Sequence, residues 1–340
     1  MGKESGDTGL RSTVATPMSR NPIAVLFSVK ETGILLGLIG LIIVFSLTSP
    51  VFLTLNNMVN IVRQISLMGI MAVGMTMVIV SGEFDLSVGS IYGMAGIILA
   101  LLMTSGVPIW LAVVIALLSG AMAGVLNGAI TTYGRVPSLI VTLGMLNIAR
   151  GFALVLSGGL NIGISKRTVT DPMLDAFMFI GRGKIWVLIP PMTIVFVVVI
   201  LIGAIFFHKN IIGFRMKAVG GNPDAARVSG INVRFIKIIA FMISGALAAL
   251  GGVINISFLS NATGILGQGL ELDVIAATIL GGTSLTGGEG TIAGTVIGVL
   301  IIGMLRNGLV LVGVSPFMQM MIIGGVLIAA VAMDMWSRRK

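Results

Sequence analysis

Between residues 33 and 335 the chain returns repeatedly to apolar stretches of about 20 residues, the length a helix needs to cross the hydrocarbon core of a bilayer. Inside a bilayer no water can satisfy the backbone, so only helices or a closed barrel can span it. Continuous apolar runs, rather than alternation, select helices. Composition agrees: 56% of residues are hydrophobic and 10% charged, against about 25% charged in a soluble domain. The sequence therefore predicts an all-α polytopic membrane protein. About ten transmembrane helices are expected, over 33–47, 58–80, 88–104, 109–131, 138–156, 185–207, 235–254, 273–280, 292–312 and 317–335. Residues 1–32 read as a cytoplasmic tail, 33–336 as the transmembrane domain and 337–340 as a second cytoplasmic tail.

The net charge of +9 would suggest nucleic acid in a soluble chain, but here the basic residues cluster between spans and report topology instead. With the N-terminus inside, one side collects Lys3, Arg11, Arg20, Lys30, Arg135, Lys209, Arg215, Lys217, Arg227, Arg234, Lys237 and Arg338-Arg339-Lys340. The other side collects Lys166, Arg167, Arg182 and Lys184. This asymmetry predicts both termini in the cytoplasm, and no removable signal segment is read. Without cysteine there is no disulfide frame and no thiolate metal site. Gly120, Gly124 and Gly128, spaced by four, form a ridge suited to close helix packing.

The longest basic interruption, IGFRMKAVGGNPDAARVSGINV (212–233), sits between two spans. Gly220 and Gly221 allow a tight turn before a short helix, where Asn222 can cap, Pro223 suits the first position and Asp224 favours the positive helix start. The helix is expected to run to Ser229, with Gly230 in the left-handed position. Such a segment is either a solvated connector or a knob for another protein to grip.

Two further stretches place polar residues between apolar ones. SGEFDLSVGS (81–90) holds Glu83 and Asp85; it is either a wet loop or a broken helix that lines a path. Glu271-Leu272-Asp273 precedes the glycine-rich run GGTSLTGGEGT (281–291). That run lacks the Lys-Ser/Thr that closes a phosphate loop, so nucleotide binding is not expected there. The two stretches resemble each other: Ile79-Val80-Ser81-Gly82, Leu86-Ser87 and Gly89-Ser90-Ile91 pair with Ile279-Leu280-Gly281-Gly282, Leu285-Thr286 and Gly290-Thr291-Ile292. Five spans separate the copies, which makes the repeat inverted, an arrangement common in transporters. In SLIVTLGMLNIARG (138–151), Asn147 and Arg150 either face a pore or, for Arg150, snorkel to the interface. His208 is the single histidine and sits at a span end. No catalytic residues, cofactor or metal site are expected.

Segment 212–233, Asp85-Leu86-Ser87-Val88-Gly89-Ser90, SLIVTLGMLNIARG, ELDVIAA, GGTSLTGGEGT and the run from Asn307 to Ser315 resemble, in order, the permease subunits of ribose-type ABC importers. Glu83-Phe84 and Arg306 depart from the family's commoner residues. The resemblance implies that Gly220, Gly221, Asn222, Pro223, Ala226, Arg227 and Gly230 couple to a cytoplasmic ATP-binding subunit. It also leads us to expect Ser81, Asp85, Ser87, Asn147, Glu271, Asp273, Thr283 and Ser284 along the solute pathway. The implied protein is a homodimer in the bacterial inner membrane. Its further partners would be membrane lipid and a periplasmic or lipid-anchored sugar-binding protein, with no nucleic acid. The cargo would be ribose or a related pentose; galactose, xylose, autoinducer-2 or a nucleoside stay open. So do a secondary transporter, with carboxylates such as Glu83 and Asp85 as titrating groups, and a non-transporting scaffold.

Overall fold

The computed structural model describes residues 29–337 apart from residue 187, so the expected tails, 1–32 and 337–340, lie outside the described residues except for 29–32 and 337. The helices, in chain order, are α1 (Val29–Thr48), α2 (Leu55–Val80), α3 (Val88–Thr104), α4 (Ile109–Tyr133), α5 (Ser138–Ser157), α6 (Leu174–Arg182), α7 (Pro191–Lys209), α8 (Ile211–Gly221), α9 (Pro223–Val228), α10 (Val233–Leu259), α11 (Leu270–Leu280), α12 (Ile292–Leu311) and α13 (Pro316–Ser337). A two-residue pair, β1 (Ile162–Gly163) with antiparallel β2 (Asn261–Ala262), ties two loops together. The all-α membrane architecture stands. Among the described residues six helices (α2, α4, α5, α7, α10 and α12) are long and apolar enough to cross a membrane. Shorter apolar helices occupy 34–48, 88–104 and 316–332, and α11 is shorter still.

Two span limits shift for physical reasons. The helix expected from residue 185 starts at Pro191, because Pro190 lacks an N–H and restrains the residue before it; Ile185 and Ile189 pair instead as an isolated bridge. The first helix begins at Val29, inside the stretch read as tail.

α2 is the central element: 78% of its apolar window is buried, against 28% for α5 and for α7. α2 packs on α10, α12, α7 and α11. The tightest helix pair is α4 with α10, and its cause is the glycine ridge. A β-carbon at Gly124 would overlap the Phe241 carbonyl, one at Gly128 would lie 2.7 Å from the Ile238 Cα, and Gly120 faces Gly245 in reciprocal close approach. Backbone-on-backbone packing of this kind drives helix association where the solvent is itself apolar. Polar side chains add pairs across helices. Asn57 on α2 and Asn307 on α12 exchange two hydrogen bonds of 2.9 Å, and the Thr76 and Thr295 hydroxyls lie 2.6 Å apart.

α2 and α11 end in the same turn. Gly82 N donates to Ile79 O at 2.9 Å and Glu83 N to Val78 O at 3.2 Å; Gly282 N donates to Ile279 O at 2.8 Å and Thr283 N to Thr278 O at 3.2 Å. Gly82 (φ +83°) and Gly282 (φ +86°) are both left-handed, the geometry of a Schellman helix end. The sequence likeness between the two stretches is thus matched in the bonds of the helix ends, 78–83 and 278–283.

Candidate functional site

The segment 210–232 folds as two helices. Asn210 caps α8, accepting from Ile212 N at 2.9 Å. Asn222 caps α9, accepting from Asp224 N at 3.1 Å and Ala225 N at 2.9 Å. Pro223 takes the first helical position, α9 ends at Val228, and Gly230 is left-handed at φ +81°. The capping chemistry read from the sequence is realised. The expected tight turn at Gly220-Gly221 is not: both residues close α8 in helical conformation.

The reason for glycine there is proximity. A β-carbon at Gly220 would collide with the carbonyl oxygen of Val80, the last residue of α2, and would lie 2.7 Å from Gly288 N. Gly288 N in turn donates to Val80 O at 2.8 Å. A β-carbon on Gly287 would lie 2.8 Å from Gly220 O and 2.9 Å from the Gly82 Cα. Gly220 therefore wedges between the break after α2 and the loop after α11. Sequence reasoning placed Gly220 beside a turn; the structure places it where three backbones meet.

Five of the six residues of α9 are exposed and one is buried. Pro223, Asp224 and Arg227 are exposed, and Val228, though apolar, is 90% exposed. Arg227 pairs with Asp224 at 3.0 Å, so the helix presents a locally balanced charged face. Ala226, grouped by sequence with the outward residues, is buried with Met216, Val233 and Ile236 and holds α9 to its own chain. Val228 has no polar signature and went unnoticed in the sequence. Behind α9, Lys217 lies over the Phe207 ring at 4.6 Å, and burial draws its ammonium below the usual lysine range.

The residues expected on a pathway fall into separate groups. Asp85 is fully buried, accepts from Ser87 N at 3.0 Å and from the Ser244 hydroxyl at 3.0 Å, and is also bonded by the Ser87 hydroxyl. Asn127 donates to that same hydroxyl at 2.8 Å. Ser81 is buried with its hydroxyl on Val78 O. This is an internal lock that joins α4 and α10 to the loop after α2, with only the Asn127 Oδ1 left without a hydrogen bond. Glu83 is not a wet surface acid; it pairs with Lys237 of α10.

A second group surrounds the start of α11. Asp273, 2% exposed, meets Arg306 of α12 at 2.7 Å. With Gln268, Gln319 and Leu272 they line a cavity of about 270 Å³. Glu271 accepts from Gly269 N at 3.2 Å while its Oε2 is buried without a hydrogen bond, close to Gly89. Arg150, partly buried, donates to Leu266 O at 2.6 Å and Gly264 O at 3.2 Å, satisfying carbonyls of the irregular stretch before α11. Thr283 and Ser284 are buried in the loop after α11, Ser284 with Thr286 at 2.8 Å. Asn147 stands apart on α5, exposed and bonded to Leu143 O of its own helix. Among the described residues no cluster of His, Cys, Asp or Glu could hold a metal ion.

Comparison with known proteins gives this architecture its relatives. A family described as "Branched-chain amino acid transport system / permease component" matches residues 57–331. The chain is 42% identical over 306 residues to the ribose import permease protein of Escherichia coli K12, covering 89% of this chain and 93% of that one. It is 41% identical to the ribose import permease protein of Bacillus subtilis 168, over 90% of this chain and 92% of that one. To the L-arabinose ABC transporter permease protein of Azospirillum brasilense it is 36% identical, over 92% and 89% respectively. No solved structure matches. With matches of this length and identity, the chain belongs to the permease-component family of binding-protein-dependent transport systems that includes the ribose import permeases.

Proposed function

We propose that this chain forms the membrane passage of an ATP-driven importer for a simple sugar, with ribose or a related pentose as cargo. The observation that carries the reading is the 42% identity to a ribose import permease along nearly the whole of both chains. The arabinose relative, and a xylose transport permease of Escherichia coli K12 at 32% identity, support the pentose class. The family description names branched-chain amino acids instead, so leucine belongs in the test as a competitor.

In this reading hydrolysis occurs in a separate cytoplasmic subunit that docks on α9. A second copy of this chain completes the pore, and a soluble or lipid-anchored protein delivers the sugar. The segment 210–232 faces the cytoplasm of a bacterial inner membrane, with both termini on that side. Closure of the ATPase halves drags α9, and α8 carries the motion through Gly220 to the ends of α2 and α11. The two breaks then switch the passage between outward and inward access. The charged groups around Glu271 and Asp273 lie beside that passage, where polar residues in a membrane are spared the cost of facing lipid.

The test is reconstitution in vesicles with the ATPase and binding protein, measuring labelled ribose uptake. ATP-dependent uptake that unlabelled ribose competes and leucine does not is the expected result. Uptake that survives ATP depletion and stops when the proton gradient collapses would sink the proposal in favour of a secondary transporter.

A further inference from the structure

The end of α4 and the start of α10 enclose a cavity of about 760 Å³ that the transport reading leaves unused. Its walls carry Arg135, Arg227, Arg234 and Lys237 against one carboxylate, Glu83. Glu83 is already committed to Lys237. Arg227 is balanced by Asp224, which lies outside the cavity wall. No carboxylate among the described residues pairs with Arg135 or Arg234, so the cavity holds a surplus of positive charge with donors to spare.

The geometry of those two arginines is particular. The Arg234 guanidinium lies over the Tyr133 ring, 5.0 Å from its centroid. Stacking uses the face of the guanidinium and leaves its edge N–H donors for an acceptor such as phosphate. Arg135 holds a left-handed backbone at φ +57°, a conformation that costs an L-residue energy and persists where its surroundings enforce it. The start of α10, a 27-residue helix, contributes Asn232 and Val233 to the same wall and adds its positive end.

The cavity's position says what anion can reach it. α4 and α10 are both long enough to cross a membrane, so their ends at Tyr133 and Val233 lie at one membrane surface. Tyr133 is exposed there, as aromatic residues are at the headgroup level. Basic pockets between helices at this depth suit acidic lipid headgroups.

We propose that this cavity binds the phosphate of an acidic phospholipid headgroup, with Arg135 and Arg234 as its principal donors. The site adjoins the docking face of α9, with which it shares Arg227, and its occupancy would brace the α4–α10 pair beside the coupling segment.

The experiment is native mass spectrometry of the full chain in detergent, titrated with phosphatidylglycerol or phosphatidylcholine, for the natural protein, Arg135→Gln and Arg234→Gln. Retained adducts of phosphatidylglycerol over phosphatidylcholine are expected. Each substitution should weaken them about fivefold, the effect of one basic residue at a membrane surface. The lipid comparison on the natural protein stands whether or not the variants fold, and circular dichroism checks that they do. Equal retention of both lipids overturns the proposal. Displacement of the lipid by millimolar inorganic phosphate supports the phosphate chemistry, whereas phosphate binding without lipid binding overturns the lipid source. Variants that keep the lipid but lose the ATPase subunit would show that the cavity serves a protein partner, which also overturns it.

Discussion

Gly220 approaches Val80 so closely that its Cα sits where a side chain would strike the Val80 carbonyl oxygen. The neighbouring Gly221 is unconfined: a β-carbon there would meet nothing nearer than the Gly288 Cα at 3.9 Å. The two glycines should therefore behave differently. Gly220→Ala is expected to push α8 off α2 and cut sugar uptake by at least about tenfold, an overpacking cost of about 1–3 kcal/mol concentrated at one junction. Gly221→Ala should transport normally. Equal uptake by the two variants would show that the junction does not transmit.

The outward face of α9 predicts a cross-linking pattern. Because the chain has no cysteine, single cysteines report cleanly. Residues 223 and 228 as cysteines should cross-link to an ATPase subunit, and residue 226 should not, since Ala226 is buried against its own chain. Arg227→Glu should leave insertion and folding intact, because the Arg227–Asp224 pair is solvent-exposed and contributes little to stability. It should nonetheless uncouple ATP hydrolysis from uptake. Cross-linking through 226 alone would reverse the orientation of α9.

Glycines on α4 and α5 should differ in what they tolerate. Gly124→Ala forces a methyl group into the Phe241 carbonyl and should lower the melting temperature of the purified protein. Gly144→Ala on α5 has open space around it and should be neutral or slightly stabilising, since alanine is the better helix former by about 0.5–1 kcal/mol. Melting curves in one detergent decide this; a larger loss at 144 would refute the α4–α10 contact.

The Asn57–Asn307 exchange suits a double-mutant cycle. Asn57→Leu strands the buried Asn307 amide and Asn307→Leu strands Asn57, each at a cost of about 1–3 kcal/mol. The double variant leaves neither amide orphaned and should be less destabilised than the two losses added together. Strict additivity would mean that the pair contributes nothing as a pair.

Much of the fold was legible because hydrocarbon imposes its length on the sequence: the apolar runs became helices within a few residues, and prolines set the starts of α7 and α9. The caps of α9 were legible because Asn-Pro-Asp acts on its immediate neighbours. What stayed hidden depends on distant partners. Nothing local says that Arg150 serves carbonyls at Gly264 and Leu266, or that Arg306 meets Asp273. α8 was read as an interruption because its residues mix glycine, charge and apolar side chains, and its burial is decided by backbone contact. Ala226 and Val228 are both small and apolar; only the docking of α9 on α8 and α10 turns one in and the other out.

Gly82 and Gly287 share Gly220 as a neighbour. We expect a displacement of that glycine to reach both interruptions of the membrane helices together. Time-resolved labels on the two loops would consequently report one relaxation phase with one rate constant, and a species with a single loop displaced would never accumulate.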